Sequence, residues 1–235
     1  MSLTAAFEQL VEHVIMVERD EEVAAVWNTI MGDDGEWLAH EIMRFMLTPE
    51  TVHKVLNQSE LTPREMAFRT IVKNRVNHGG ILAPSSGMIK QGENGQGMLS
   101  RWYPKTLKQR ILDIISVRDR ITFIEGDGLE VMRQYASCAD AVFFIDPPYI
   151  AAGKKAGRRL YTYYELDHEE LFRVAALLQG EFLMTYDNAA GVHELAARYG
   201  FATRLVAMKN THHAQMSELL ISQDLAWMSS LPSRN

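Results

Sequence analysis

Cysteine is almost absent from these 235 residues: Cys138 stands alone, which excludes an internal disulfide and any cysteine-rich zinc site. A single thiol suits a small buried residue in a reducing compartment, so a cytoplasmic location is expected. Long hydrophobic runs are missing too. None approaches the roughly 18 residues that cross a bilayer, and a soluble protein with no membrane partner is expected. The start, MSLTAAFEQL, has neither a basic flank nor a long apolar stretch and does not read as a signal peptide. Basic residues are scarce at first: residues 1–60 hold 3 Lys/Arg against 12 Asp/Glu.

The composition that is present, 47% hydrophobic, suffices for a real core in one domain or in one domain with a sizeable insertion. The formal net charge of −6 hides a reversal, because residues 61–110 carry 9 Lys/Arg against only Glu65 and Glu93. One basic segment in an acidic chain is the pattern of a localised phosphate-contacting surface; a solvated basic face is the alternative.

Periodicity gives an alternating order. LTAAFEQLVE reads as helix, His13–Asp20 as a compact strand ending in acids, and Glu21–Met31 as helix. Helices are expected over 35–58 and 62–77, the second opening at Thr62-Pro63 with Glu65 three positions on. His78–Gly97, with six glycines, reads as a loop, and helix resumes over Pro104–Ser116. Arg120–Asp127 and Ala141–Asp146 read as buried strands around a short helix. Helix at 168–179, a strand at Glu181–Asp187, helix at 189–199 and two final strands follow. Alternating strands and helices imply an α/β fold with a mostly parallel sheet and ligands at the strands' carboxyl ends. Glu18, Asp127, Asp146 and Asp187 would gather there, although each also suits the cap of a following helix. His212-His213 reads as a polar turn rather than a metal site, since strand neighbours face opposite ways.

The stretch VFFIDPPY, Val142–Tyr149, drives a carboxylate to the end of a strand and follows it with two rigid residues and a flat one. A sharp strand stop is the plain alternative. Asp146–Tyr149 resembles the DPPY motif of N6-adenine DNA methyltransferases, and the chain resembles their Dam-like class over roughly residues 13–222. KNRVNHGG (Lys73–Gly80), IEGDGLEVM (Ile124–Met132), ELDHEEL (Glu165–Leu171) and FLMTYDN (Phe182–Asn188) carry the rest of the resemblance.

The resemblance implies a Rossmann-like methyltransferase sheet that uses S-adenosylmethionine. Residues 1–34 and 111–235 would form the catalytic domain and 35–110 an inserted, mainly helical target-recognition region. It implies a catalytic set of Asp146, Pro147, Pro148 and Tyr149, and a cofactor set of Glu18, Arg19, Asp127, Gly128 and Asp146. The family's first strand and glycine-rich turn have no counterpart upstream of Thr4, so an N-terminally incomplete catalytic domain is expected, in a truncated or remnant form.

The chemistry suits these residue types. An adenine amine is a poor nucleophile because its lone pair is delocalised into the ring. A carboxylate and the fixed Pro147 carbonyl, each accepting one N–H, favour a tetrahedral nitrogen whose lone pair aims at a sulfonium methyl. Tyr149 offers a face on which an extruded base stacks. The displacement needs positioning and charge placement, without a metal or a covalent enzyme intermediate.

Double-stranded DNA is the expected partner. Arg69, Lys73, Arg75, Lys90, Arg101, Lys105 and Lys108 are candidate phosphate contacts, with Lys154, Lys155, Arg158 and Arg159 in a second basic loop. Asn74, Asn77 and Gln91 are candidates for base edges. A cognate restriction endonuclease and a homo-oligomer are further expected partners. Two other readings stay open: a non-catalytic DNA-binding remnant, and methylation of an amine or amide in RNA or protein.

Overall fold

Local signals open several helices of the computed structural model, which describes residues 1–83, 86–92, 95–148, 166–209 and 215–230. After α1 (Ser2–Phe7) and β1 (Val14–Glu18), the Asp20 carboxylate accepts from the backbone N–H of Glu22 at 2.9 Å and Val23 at 3.3 Å and so opens α2 (Glu21–Met31). The helical stretch expected over 35–58 is two helices, α3 (Gly35–Arg44) and α4 (Pro49–Leu56). Pro49 holds Thr48 extended (ψ 161°), and Thr48 and Thr51 cap the second helix reciprocally. α5 (Pro63–Val76) opens as expected, with the Thr62 N–H donating to Glu65 at 2.8 Å. α6 (Pro104–Ser116) and β2 (Ile121–Glu125) follow, then α7 (Gly128–Gln134), β3 (Val142–Ile145), α8 (His168–Ala175), β4 (Glu181–Asp187), α9 (Ala190–Arg198), β5 (Ala202–Lys209) and β6 (Gln215–Ser222).

The fold is mixed α/β, and the chain divides into two compact units, one holding Met1–Asp127 and the other the described residues from Gly128 onward. In the first unit β1 and β2 pair in parallel, Val14 beside Ile121 through Glu18 beside Glu125. The larger core of that unit is helical: Leu38, Ile42, Val52, Val72 and Val76 are at most 1% exposed and pack with Phe68, Trp102 and Ile111. This core joins α2 to α3–α6, so packing does not divide the unit at residues 34 and 110, where the recognition insert was expected to begin and end.

The second unit has one sheet in the order β3-β4-β6-β5, with β3 and β4 parallel and the other two pairings antiparallel. That makes this sheet mixed rather than mostly parallel, because β5 and β6 form a hairpin. One face carries Phe182, Met184, Tyr186, Leu219 and Ile221, buried against Leu171, Phe172 and Val174 of α8 and Val192 and Ala196 of α9. Arg133 of α7 and Arg173 pair with Glu170 and tie α7 to α8. Those two hydrogen bonds hold the Glu170 carboxyl down at about 2.

Two expectations of burial fail. Among the described residues β3 is an edge strand with one packed face: Phe143 and Ile145 join the core, while Val142 and Phe144 are 70% and 43% exposed. Cys138 is exposed, in the turn between α7 and β3, because that turn runs along the surface rather than through the core.

Candidate active site

Asp146 is the first residue after β3, beside Thr185 of β4, given that Ile145 pairs with Met184. The Thr185 hydroxyl, on a residue 8% exposed, donates to Asp146 Oδ1 at 2.7 Å. Asp146 itself is exposed, and its Oδ2 accepts no hydrogen bond among the described residues. Pro147 is buried and Pro148 half-buried, so the backbone that carries the carboxylate is anchored on both sides. The result is a carboxylate acceptor with one oxygen held by Thr185. Thr185 is absent from the residues selected by sequence; its partner lies 39 positions away, and only the strand pairing reveals it.

Next to Thr185 on β4, the buried Tyr186 hydroxyl meets His168 Nδ1 at 2.8 Å. Burial raises the Tyr186 pKa, with the Asp187 charge adding to the effect. Burial also lowers that of His168, partly opposed by the charges of Asp187 and Asp167. This pair locks β4 to the start of α8 and so sets the position of Thr185. Tyr149, Lys154, Lys155, Arg158, Arg159, His212 and His213 lie outside the described residues.

The first unit brings together Glu18, Arg19 and Asp127 at the carboxyl ends of its parallel strands. Glu18 Oε1 accepts from the Arg19 and Asp20 N–H groups at 2.8 and 2.9 Å, which fixes the carboxylate over the strand end. Capping of α2 falls to Asp20 instead, so the helix-cap alternative for Glu18 does not describe its role. Arg19 reaches Asp127 at 3.1 Å, and the Gly126 N–H donates to the Glu18 carbonyl at 2.9 Å. Gly128 follows Asp127 directly and begins α7. A half-buried carboxylate with one oxygen fixed and the other without a hydrogen bond among the described residues is a suitable acceptor for a pair of sugar hydroxyls. Asp146, also expected at the cofactor, belongs to the second unit.

The basic segment is partly consumed by the fold. Arg69 and Lys73 both pair with Glu22 of α2, at 3.4 and 2.6 Å. Asn74 donates to the Gly80 carbonyl at 2.7 Å and Asn77 to that of Ile81 at 2.8 Å, so both amides close the turn after α5. That turn needs glycine: φ is +68° at Gly79 and +75° at Gly80. Lys90, Gln91 and Lys105 are exposed and Lys108 is half-buried. Arg75 and Arg101 lie against the end of α5, where Arg101 donates to the Asn77 carbonyl at 3.1 Å.

No helix among the described residues is long and apolar enough to cross a membrane. No protein-family model matches the chain, and no curated protein does. Solved structures with some similarity include precorrin 8w decarboxylase of Methanobacterium thermoautotrophicum, at 15% identity and a TM-score of 0.26, over 51% of this chain and 63% of that one. They also include a protein of Pyrococcus horikoshii described as a candidate RNA methyltransferase, at 14% identity and a TM-score of 0.27, over 80% of this chain and 96% of that one.

Proposed function

We propose that the chain is a DNA adenine N6 methyltransferase of the Dam-like, DPPY-bearing class, with S-adenosylmethionine as methyl donor. The observation that carries this reading is Asp146: a carboxylate at the end of a parallel strand, one oxygen held by Thr185 at 2.7 Å, followed by two prolines. The residue order around it supports the same reading. In this mechanism Asp146 Oδ2 accepts one N–H of an extruded adenine and the Pro147 carbonyl accepts the other. The amine becomes tetrahedral and turns its lone pair toward the methyl carbon. Transfer would form an N–C bond and break the donor's C–S bond, whose electron pair would stay on sulfur. The surplus proton on nitrogen then passes to water. Asp146 holds and orients and need not act as a strong base. Tyr149 is assigned the stacking face.

S-adenosylmethionine, when bound, supplies an electrophilic methyl on sulfonium. Glu18 would receive its ribose hydroxyls, and Arg19, Asp127 and Gly128 would border the adenine end. Thr185 serves as a positioning residue, acting through Asp146.

The test is transfer of labelled methyl from S-adenosylmethionine to duplex DNA by the purified chain. Loss of the acceptor in Asp146→Ala should lower turnover about 10²–10³-fold, the scale seen when one transition-state hydrogen-bond partner is removed. DNA affinity should stay within a few-fold of the parent. Absence of transfer to any adenine-containing duplex sinks the reading, and so does an Asp146→Ala chain that keeps a tenth or more of the parental turnover.

A further inference from the structure

Asn188 is the first residue after β4, and its side chain is not used as that of an ordinary helix-entry asparagine. The Ala189 N–H donates back to the Asp187 carbonyl at 2.9 Å, so the chain turns sharply and keeps Asn188 at the carboxyl end of the strand. α9 begins two residues later, with Ala189 in the capping position and no side-chain cap. The oxygen that would cap a helix is engaged elsewhere: His193 Nε2 lies 2.8 Å from Asn188 Oδ1. An amide oxygen only accepts, so this pairing makes Nε2 the protonated nitrogen of the imidazole. His193 stands on α9 next to Val192, which is fully buried in the core of the second unit, so the ring has a rigid base. The carboxamide is thereby fixed through its oxygen. Its NH2 donates to no group among the described residues, and Asn188 is exposed.

The strand register sets its place relative to Asp146. Asp146 is bonded to Thr185, and Asn188 lies three positions beyond Thr185, at most about 10–11 Å of extended chain. Both residues follow the carboxyl ends of neighbouring parallel strands within one compact unit. One group accepts and the other donates. A flipped adenine carries the matching pair on its Watson–Crick edge, the N6 amine as donor beside N1 as acceptor. Guanine presents a carbonyl and an N–H there, the reverse on both counts. The N7 acceptor is common to both purines, so a donor directed to it would not tell them apart.

We infer that Asn188, held by His193, is a specificity-determining residue whose amide donates to N1 of the base that Asp146 holds by its amine. This role rests on the methyltransferase reading above and adds a base-reading donor to its site. His193 is a positioning residue that acts through Asn188.

The test is label transfer from S-adenosylmethionine by the full chain to a duplex that the parent methylates, and to the same duplex with 1-deazaadenine at the methylated position. The analogue alters the amine itself, so the quantity read is the ratio of kcat/KM on the two duplexes, compared between chains. Asn188→Ala should lower kcat/KM on adenine about 2–12-fold, the range of one hydrogen bond. The ratio should shrink by the same factor, because a chain without the donor loses nothing further when N1 is removed. His193→Ala should move the ratio in the same direction, and His193→Gln, which keeps a donor, should return it toward the parent. Urea midpoints of Asn188→Ala should match the parent, since the side chain is exposed. An unchanged ratio in Asn188→Ala, or a ratio that responds to 7-deazaadenine instead, would overturn the inference and leave the methyltransferase reading standing. Absence of transfer by the parent to any adenine-containing duplex would sink that reading and the inference with it.

Discussion

Gly180→Ala is the sharpest probe of how the strand bearing Asp146 is held. Gly180 is buried at the entry to β4, and a Cβ there would lie 2.1 Å from the Ala141 carbonyl oxygen and 2.8 Å from that of Cys138. A carbon–oxygen contact of about 3.3 Å is the close limit, so the Ala141 carbonyl must retreat by about 1 Å. It has little freedom to do so. The Ala141 N–H donates to Cys138 at 3.2 Å, the Gln179 N–H donates to Ala136 at 2.8 Å, and the Gln223 amide donates to the Gly180 carbonyl at 3.0 Å. Ala141 also precedes Val142, whose register with Glu181 begins the β3–β4 pairing. Overpacking costs about 1–3 kcal/mol and a disturbed hydrogen bond about 1 kcal/mol, so a loss of about 2–4 kcal/mol is expected. The φ of Gly180 is not among the positive ones, so without the clash alanine would stabilise by about 0.4–1 kcal/mol. The two accounts therefore differ in sign. Urea unfolding gives the answer, and a Tm lower by about 5–12 °C should accompany it. Gly191→Ala on α9, whose Cβ would meet nothing within 4 Å, is the control expected to stabilise. A Gly180→Ala chain as stable as its parent would refute the close-packing argument.

Thr185→Val should leave the fold nearly intact, since the exposed Asp146 carboxylate regains water, yet slow methyl transfer. A hydrogen bond to a charged group is worth about 1.5–3 kcal/mol, which corresponds to a fall in kcat of about 10–150-fold with KM for DNA little changed; turnover within twofold of the parent would remove Thr185 from its positioning role. The depressed pKa of His168 makes the folded state the weaker proton binder, so its contribution is complete above pH 6.5 and lost as pH falls below that value toward the folded pKa. Urea midpoints of the parent should therefore drop from pH 7.5 to 5.5 more steeply than those of His168→Gln, and parallel profiles would contradict the assignment.

Much of the framework is written in local signals. α2 and α6 begin and end where periodicity places them, Glu21–Met31 and Pro104–Ser116, because caps and prolines act on neighbours. The acids at the ends of β1, β2 and β3 are legible for the same reason. The fate of each side chain is not. Glu22 lies 47 and 51 positions from the cations it occupies, so a count of charge along the chain credits Arg69 and Lys73 to an outward surface. The exposure of Val142 and Phe144 escapes notice similarly: VFFI has the composition of a core strand, and only the strand order places it at an edge. Thr185 illustrates the limit within the site itself, as nothing in FLMTYD distinguishes a hydroxyl that steers a carboxylate from one that merely fills space.

The two prolines after β3 have a consequence for how the protein behaves in concentrated solution. An edge strand with bare apolar side chains is a template on which a stray extended peptide can settle. Pro147 and Pro148 carry no N–H, so any such guest finds donors on Val142–Asp146 and then two successive residues without one. Self-templating stacks draw on about six or seven residues, and the rung count here stops short of that. The rings that hold the carboxylate in place thus also act as a brake on fibril growth.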